Sequence, residues 1–250
     1  MLRRTLLVLV LTAAALASAP GSFAREGLTP SDGAKRAKTW EKEIAAIENR
    51  HAKTPVPERA IIFTGSSSVR LWDVAKGFPD LPVVNHGFGG SQICDATHFA
   101  ERLVLKHKPS VIVFYSGDND AAGGLSVEQI HRDFQEFVAT VRAELPATPI
   151  IVISAKPSVA RWKLADKMSA ANQRIAADCR RDETLEFVDV WPAMLGDDGR
   201  PRPEIFREDG LHLNDVGYAA WVEVLSPVLA KAYADSRPPA LDKRLQPIAE

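Results

Sequence analysis

The segment AIIFTGSSS, residues 60–68, decides the fold, because it passes from a buried strand into a polar loop. Its first half is apolar and β-branched, which is typical of a strand that a parallel sheet buries on both faces. Gly65 and three consecutive serines, Ser66, Ser67 and Ser68, follow at once. In an open α/β sheet, ligands bind just beyond the carboxyl ends of the strands. The segment therefore predicts a parallel sheet with a functional loop after its first strand.

The rest of the chain alternates short apolar runs with longer stretches of helical periodicity. Strands are predicted at residues 60–64, 83–85, 111–115, 150–155 and 187–190. Helices are predicted at residues 32–51, 91–108, 126–145, 167–182 and 214–234, the last of them capped by Asn214. This alternation favours a three-layer α/β/α sandwich over an α+β fold in which strands and helices are segregated.

The composition is that of one soluble α/β domain and argues against a nucleic-acid partner. The chain has 250 residues, of which 46% are hydrophobic and 25% charged, which is enough to bury a sizeable core. Its formal net charge is -1, and it has no cluster of basic residues of the kind that binds a phosphate backbone. Cys94 and Cys179 are the only cysteines. A disulfide between them and two separate thiols are both compatible with the sequence.

The N-terminus has the layout of a secretory signal peptide. Arg3 and Arg4 precede an apolar run at residues 6–16, and small residues lead to Ala24, after which we expect cleavage. The apolar stretch is shorter than the ~20 residues that a membrane span needs, and no other segment is long and apolar enough. We therefore expect a periplasmic or secreted protein that has no stable membrane span once residues 1–24 are removed.

One folded domain is predicted between two extensions. Residues 25–57 are expected to form an N-terminal helix and a linker, because apolar side chains recur there at helical spacing before the proline-bearing segment KTPVPE. Residues 58–234 carry the alternating strands and helices. Residues 235–250 are polar and proline-bearing, which predicts an extended or loosely docked tail.

Residues whose side chains or backbone amides could take part in catalysis follow the predicted strands. The segment NHGFGG ends at Gly90, SGDND contains Asn119, and EDGLHLN contains Asp209 and His212. A serine hydroxyl is a poor nucleophile unless a base lies within hydrogen-bond reach, itself held by a carboxylate. Asp209 and His212 are three residues apart and can therefore pair on one side of a turn. The backbone amide of Gly90 and the side-chain amide of Asn119 could donate to a developing oxyanion.

Each of these segments also has a simpler structural interpretation. The serines could cap a helix, and Asp209 with His212 could form an ordinary surface turn. The glycines of NHGFGG could serve a tight turn, and SGDND could be an Asx-rich loop or, through Asp118 and Asp120, a divalent-cation site. A phosphate cradle is excluded because no lysine follows the glycine. The α/β-hydrolase fold is excluded because the chain has no Gly-x-Ser-x-Gly elbow.

In their order and spacing, the four segments resemble the SGNH hydrolases, a family also known for its Gly-Asp-Ser-Leu signature. The resemblance implies that Ser67 is the nucleophile and that His212 and Asp209 complete a catalytic triad. It further implies an oxyanion hole formed by the Ser67 amide, Gly90 and Asn119. The fold it implies is a flavodoxin-like sandwich with five parallel strands in the order 2-1-3-4-5.

The chain departs from the family signature on both sides of the nucleophile. Ser66 stands where the signature has aspartate, and Ser68 stands where it has leucine. The departure concerns the hydrogen bonds of the loop, and it leaves the position of Ser67 relative to Gly65 unchanged.

The activity that the resemblance implies is hydrolysis of a carboxylic ester through an acyl-enzyme, without a metal or organic cofactor. The expected substrate is a small-molecule or carbohydrate ester. Two alternatives stay open: a carbohydrate O-acetyltransferase or deacetylase on the same fold, and a non-catalytic carbohydrate-binding relative. The candidate substrate contacts are Trp72, Phe88, Lys156, Arg161 and Trp162. For the aromatic residues among them, packing in the core is the alternative role.

Overall fold

A computed structural model describes residues 31–236, and five parallel strands form the sheet at its centre. The strands are β1 Ile61–Gly65, β2 Val83–Gly87, β3 Val111–Tyr115, β4 Ile150–Ile153 and β5 Leu185–Val188. Their order in the sheet is β2-β1-β3-β4-β5. This order confirms the flavodoxin-like arrangement that the family resemblance implies, and it brings the carboxyl ends of β1 and β3 side by side.

Helices cover both faces of the sheet, which makes the fold a three-layer sandwich. The helices are α1 Ser31–Lys53, α2 Ser67–Arg70, α3 Val74–Gly77, α4 Ile93–His98, α5 Ala100–Leu103, α6 Asp118–Ala122, α7 Val127–Glu144, α8 Ala165–Cys179 and α9 Asp215–Asp235. Short 3-10 helices lie at Leu105–His107, Trp162–Leu164, Pro192–Met194 and Pro203–Ile205. Helices α1, α4, α5, α7 and α8 pack on one face, and α2, α3 and α9 pack on the other.

The central strands supply both cores, because successive side chains of a strand point to opposite faces. In β3, Ile112 and Phe114 lie in the core beneath α7, whereas Val111, Val113 and Tyr115 lie in the core beneath α9. None of the five is more than 2% exposed. Burial on both faces explains the unbroken apolar run from which the strand is predicted.

The largest difference from the sequence prediction concerns the helix expected at residues 91–108. It is divided into α4, α5 and a 3-10 turn, because the backbone leaves the helical region at Phe99 and again at Val104, where φ is -127° and ψ is -60°. Phe99 and Leu103 are nevertheless buried. The apolar periodicity records which side chains face the core and does not reveal a break in the hydrogen-bond ladder.

The other elements differ from prediction by one or a few residues at their ends. The side chain of Asn214 accepts hydrogen bonds from the amides of Val216 and Gly217, which confirms the predicted cap of α9. Helix α9 continues to Asp235, so the predicted tail begins later than expected. The signal peptide predicted at residues 1–24 and residues 237–250 of the tail lie outside the described residues.

Both cysteines are free: Cys179 is buried in α8, and Cys94 is partly buried in α4. Burial raises the pKa of each thiol to about 12, so both are poor nucleophiles near neutral pH. Of the helices in residues 31–236, none has the length and apolar character to cross a membrane.

Candidate active site

The end of β1 presents Ser67 at the start of the short helix α2. Gly65 has a φ of +123°, and a Cβ at this position would lie 1.9 Å from the carbonyl oxygen of Tyr115 in β3. Only glycine permits so close an approach in this backbone conformation. The amide of Ser66 then donates to the same carbonyl oxygen at 3.0 Å. The junction of β1 and β3 therefore holds the turn from which Ser67 projects.

Of the three serines, only Ser67 contacts a base. Its Oγ lies 3.0 Å from Nε2 of His212. The side chains of Ser66 and Ser68 are buried, and the carbonyl of Ser68 accepts a hydrogen bond from the hydroxyl of Tyr218 at 2.9 Å. Ser66 occupies the N-cap position of α2 without a hydrogen bond from its side chain to the helix. The helix-capping interpretation thus does not describe the serine side chains.

Asp209 holds the imidazole of His212 from the other side. Nδ1 of His212 lies 2.6 Å from one carboxylate oxygen of Asp209, and the second oxygen accepts from the amides of Leu211 and His212, each at 2.9 Å. Partial desolvation acts to raise the pKa of Asp209, but these hydrogen bonds outweigh it and lower the pKa to about 2. An ionised Asp209 requires a proton on Nδ1, which leaves the lone pair of Nε2 facing Ser67.

The turn that carries Asp209 and His212 is anchored at both ends. Gly210 has a φ of +61°, and its carbonyl accepts from the amide of Ala160 at 3.0 Å. The amide of Arg207 donates to the carbonyl of His212 at 2.8 Å. These bonds fix the backbone between Asp209 and His212 independently of the pairing of their side chains.

Gly90 and Asn119 lie together at the same edge of the sheet. A Cβ on Gly90 would lie 3.9 Å from Nδ2 of Asn119. That nitrogen donates to the carbonyl of Ser91 at 3.0 Å, and a primary amide has a second N–H to offer. Among the described residues, the amide of Gly90 donates to no protein acceptor. Two donors are therefore available beside the segment that bears Ser67.

The two aspartates beside Asn119 serve separate partners. Asp118 forms ion pairs with Arg161 at 2.8 Å and with Lys156 at 3.5 Å. Asp120 accepts from the amide of Ile93 at 3.0 Å. In residues 31–236, no group of three or more His, Cys, Asp and Glu side chains is arranged to hold a metal ion. The segment thus joins neighbouring elements through its carboxylates.

Three of the predicted substrate contacts are corrected by their burial. Trp72 is 4% exposed and stacks on Tyr218 in the core beneath α9. Phe88 is 0% exposed and packs edge to face against Phe99. Lys156 is 1% exposed, and its burial lowers its pKa while Asp118 opposes that shift. The sequence places these residues next to the functional segments, but their side chains point into the protein.

Arg161 and Trp162 keep part of their surface exposed. Arg161 is tied to Asp118, as described above. Trp162 borders a cleft of about 650 Å³ together with Val159 and parts of the segment 195–204. These two residues therefore remain candidates for substrate contact.

Val159 also lines this cleft, and it was not among the residues predicted from the sequence. It is 46% exposed, and a Cβ on Gly210 would lie 3.3 Å from Cβ of Val159. The loop after β4 thus abuts the turn between Asp209 and His212. Lys156, Arg161 and Trp162 of the segment KPSVARW, residues 156–162, are candidates from sequence, but the valine between them carries no distinguishing signal.

Comparison with known proteins connects this geometry to a family. A model of the GDSL-like Lipase/Acylhydrolase family matches residues 65–220. The match spans all four segments and confirms the resemblance inferred from their order. A comparison with curated protein sequences found no significant match.

Three solved structures illustrate the proteins that share this fold. A Streptococcus pneumonia protein provisionally described as a platelet activating factor aligns with a TM-score of 0.68 and 22% identity, over 78% of this chain and 97% of its own. A GDSL-like lipase from Bacteroides thetaiotaomicron aligns at 0.63 and 18%, over 82% and 100%. A carbohydrate esterase family 3 protein from Talaromyces cellulolyticus aligns at 0.56 and 18%, over 70% and 98%. At these identities the likeness concerns the fold.

Proposed function

Because the chain belongs to the GDSL-like lipase/acylhydrolase family and is therefore a hydrolase that acts on ester bonds, we propose that it cleaves a short-chain carboxylic ester through an acyl-enzyme on Ser67. The observation that carries the proposal is the continuous line of hydrogen bonds from Ser67 through His212 to Asp209, at 3.0 and 2.6 Å. A serine, an imidazole and a carboxylate in this order are the parts that nucleophilic ester cleavage requires.

In the proposed reaction, His212 takes the proton of Ser67 as Oγ forms a bond to the ester carbonyl carbon. The resulting imidazolium is stabilised by Asp209 and returns the proton to the departing alcohol as the ester C–O bond breaks. A water molecule then gives a proton to His212 and its oxygen to the acyl carbon. The bond between the acyl carbon and Oγ of Ser67 breaks, Oγ takes the proton from His212, and the free acid leaves.

The developing oxyanion is proposed to rest on three donors. The amide of Ser67 lies in the first turn of α2, where backbone amides have no partner within the helix. The amide of Gly90 and the second N–H of Asn119 complete the set. Each preorganised donor of this kind contributes about 10²–10³ in rate.

The short acyl chain is inferred from how the surroundings of Ser67 are filled. Trp72 and Phe88, which adjoin the segments of Ser67 and Gly90 in the sequence, are both buried in the cores. Val159 and Val216 are the most exposed of the large apolar side chains in residues 31–236, at 46% and 58%. A long acyl chain needs an apolar surface or tunnel, and neither residue forms an extended patch.

A polar alcohol, such as a carbohydrate, is proposed for the other half of the ester. The cleft beside Val159 is lined by the indole of Trp162 and by charged side chains that include Asp197, Asp198 and Arg200. An aromatic face combined with polar side chains suits a sugar ring, which has both an apolar face and hydroxyl groups. The structural neighbour described as a carbohydrate esterase is consistent with this choice. A deacetylase acting on acetylated sugars therefore stands as the specific form of the proposal.

Export is proposed as well, on the basis of the sequence of residues 1–24. An exported esterase would meet esters of the envelope or of extracellular polysaccharides. N-terminal sequencing of the protein recovered from its native host tests this part, and a mature chain that still begins at Met1 would contradict it.

The decisive experiment measures hydrolysis of p-nitrophenyl esters of graded chain length and of acetylated sugars. We expect the acetyl ester to be the best of the chromogenic series, and Ser67→Ala to abolish turnover and labelling by a fluorophosphonate. Ser66→Ala is the matched control, because it removes a hydroxyl from the same loop without touching His212. Full turnover by Ser67→Ala would refute the nucleophile, and a preference for long chains would refute the acyl assignment.

Trp162→Ala tests the sugar subsite separately. We expect it to raise KM for an acetylated sugar and to leave the hydrolysis of p-nitrophenyl acetate unchanged. Equal effects on both substrates would argue against a role in binding the alcohol.

A further inference from the structure

We propose that helix α1 positions the oxyanion loop, defined as residues 88–91, and that Glu43 is the positioning residue at its centre. The inference rests on the proposed function, because the loop supplies the amide of Gly90. Helix α1, Ser31–Lys53, precedes the region that the family model matches, residues 65–220.

The central contact is a hydrogen bond from the loop to α1. The amide of Gly89 donates to Oε2 of Glu43 at 2.8 Å. Gly89 has a φ of +37° and stands directly before Gly90. Because a peptide unit is planar, the two dihedral angles of Gly89 set the direction of the next amide, that of Gly90. The bond to Glu43 anchors the peptide unit before Gly89, and it is relative to this unit that the two angles direct the Gly90 amide.

Trp40 packs against the same part of the oxyanion loop. A Cβ on Gly89 would lie 1.8 Å from the indole ring of Trp40, so the ring lies directly against the loop backbone. Trp40 also packs edge to face on Phe88, with ring centroids 5.9 Å apart. The loop can therefore relax toward α1 only if Trp40 moves.

Helix α1 also contacts both flanks of the loop. On the downstream flank, Arg36 forms a bidentate ion pair with the buried Asp95, at 3.0 and 2.9 Å, and Asp95 accepts from the amide of Gln92 at 2.8 Å. On the upstream flank, Nε2 of His51 lies 2.7 Å from Nε2 of His86. Helix α1 thus contacts His86, Phe88, Gly89 and Asp95, on both sides of Gly90.

The contacting residues lie on one face of α1 because of their spacing. Arg36, Trp40 and Glu43 are separated by four and three residues, which places them on one stripe of a helix. Glu43 also lies 3.9 Å from Arg70 in α2, the helix that begins at Ser67. A surface ion pair at this distance contributes little to stability. The contact shows, however, that Glu43 lies between the oxyanion loop and α2, the two backbone segments that are proposed to hold the oxyanion.

The test compares Glu43→Ala with Glu43→Gln in the full chain, with p-nitrophenyl acetate as substrate. Loss of the acceptor should let the Gly90 amide stray, and misplacement of a transition-state donor lowers kcat by about 10- to 100-fold with little change in KM. Glutamine retains an oxygen acceptor, and we expect it to keep kcat within about threefold of the wild type. The rate of fluorophosphonate labelling of Ser67 should fall in parallel with kcat.

Glu48→Ala is the control for general loosening of α1. Glu48 lies on the same helix and pairs with Arg102 and Lys106, away from the oxyanion loop. We expect this variant to keep wild-type kcat even if the melting temperature falls. An unchanged kcat in Glu43→Ala, or an equal fall in Glu48→Ala, would overturn the positioning role.

A second readout separates this inference from the proposed function. Hydrogen exchange of the Gly89 amide, followed by NMR, should be slow in the wild type and at least about tenfold faster in Glu43→Ala, because the bond that protects it is lost. If the wild type hydrolyses no ester and Ser67 is not labelled, the proposed function fails. If ester turnover is normal and Gly89 exchanges equally in both proteins, the positioning role fails.

Discussion

Nε2 of His212 lies 3.0 Å from Oγ of Ser67, although 145 positions separate the two residues along the chain. Ser67 is held by the end of β1, and His212 stands in the turn that leads into α9. The hydroxyl of Tyr218, in the first turns of α9, donates to the carbonyl of Ser68 at 2.9 Å. The packing of α9 on the sheet therefore contributes to the distance between Ser67 and His212.

Asp209→Asn should lower kcat for p-nitrophenyl acetate by about 10²–10⁴-fold, because an amide neither holds the required tautomer nor stabilises the imidazolium. KM should change little. The pKa of Asp209 is lowered to about 2, so the carboxylate stays ionised over the whole range in which the assay is practical. The exposed Asp215, which pairs with Lys76, is the control, and a loss of similar size in Asp215→Asn would contradict the specific role.

Tyr218→Phe should lower the free energy of unfolding by about 1 kcal/mol, since it removes one buried hydrogen bond and leaves the carbonyl of Ser68 without that donor. Urea denaturation measures this change. Because the bond also links α9 to the loop of Ser67, kcat should fall by more than the small loss of stability alone would produce. Unchanged kcat would show that the rest of the α9 interface suffices to hold His212.

His86→Gln should remove part of the acid sensitivity of the fold. Burial, opposed by the hydrogen bond to the carbonyl of Leu103 and assisted by His51 and His107, lowers the pKa of His86 to about 3. The unfolded chain therefore binds a proton near pH 6.5 that the folded chain does not. Stability that is present above pH 6.5 is lost as the pH falls toward 3, by about 1.4 kcal/mol per pH unit.

Urea denaturation between pH 7 and pH 4.5 checks the slope. Glutamine can donate to Leu103 and accept from His51 without gaining a proton, so the variant should show a shallower dependence. His98→Gln, at an exposed position of α4, is the control. An identical slope in wild type and His86→Gln would contradict the prediction.

Asp120→Asn should have the opposite pH signature. Burial raises the pKa of Asp120 to about 7, although the hydrogen bond from the amide of Ile93 acts to lower it. A folded-state pKa above the unfolded value near 3.8 means that stability is fully present below that value and is lost as the pH rises through 7. Asparagine keeps the acceptor for Ile93 and cannot ionise. The variant should therefore gain stability relative to the wild type at pH 8 and show no such gain at pH 4, with the exposed Asp80→Asn as the control.

Much of the architecture is predictable from local patterns. Strand β3 is predicted with both of its ends correct, because its side chains are apolar on both faces and that requirement is visible residue by residue. The division of residues 91–108 into several short helices is not predictable, because Phe99 and Leu103 are buried whether or not the backbone between them is continuous. The substrate contacts proposed for Trp72 and Phe88 fail for a related reason. Proximity along the chain does not tell which way a side chain points.

The contacts of α1 with the oxyanion loop could not be predicted from the sequence either. Trp40 is recognisable from its spacing as a residue of an apolar helix face. Nothing in the sequence connects Glu43 with Gly89, because the bond between them joins a helix and a loop that are 46 positions apart. Long-range hydrogen bonds have no local periodicity from which to infer them.

The sequence by itself determined the class of fold, the parallel sheet and the four segments in which the reactive groups lie, because burial patterns and motif order are written along the chain. Only the tertiary structure decided the distance between Ser67 and His212, which aromatic residues are buried, and that α1 contacts the oxyanion loop. Those outcomes depend on distances between segments, and such distances are set by the packing of the two cores and by the junction of β1 with β3.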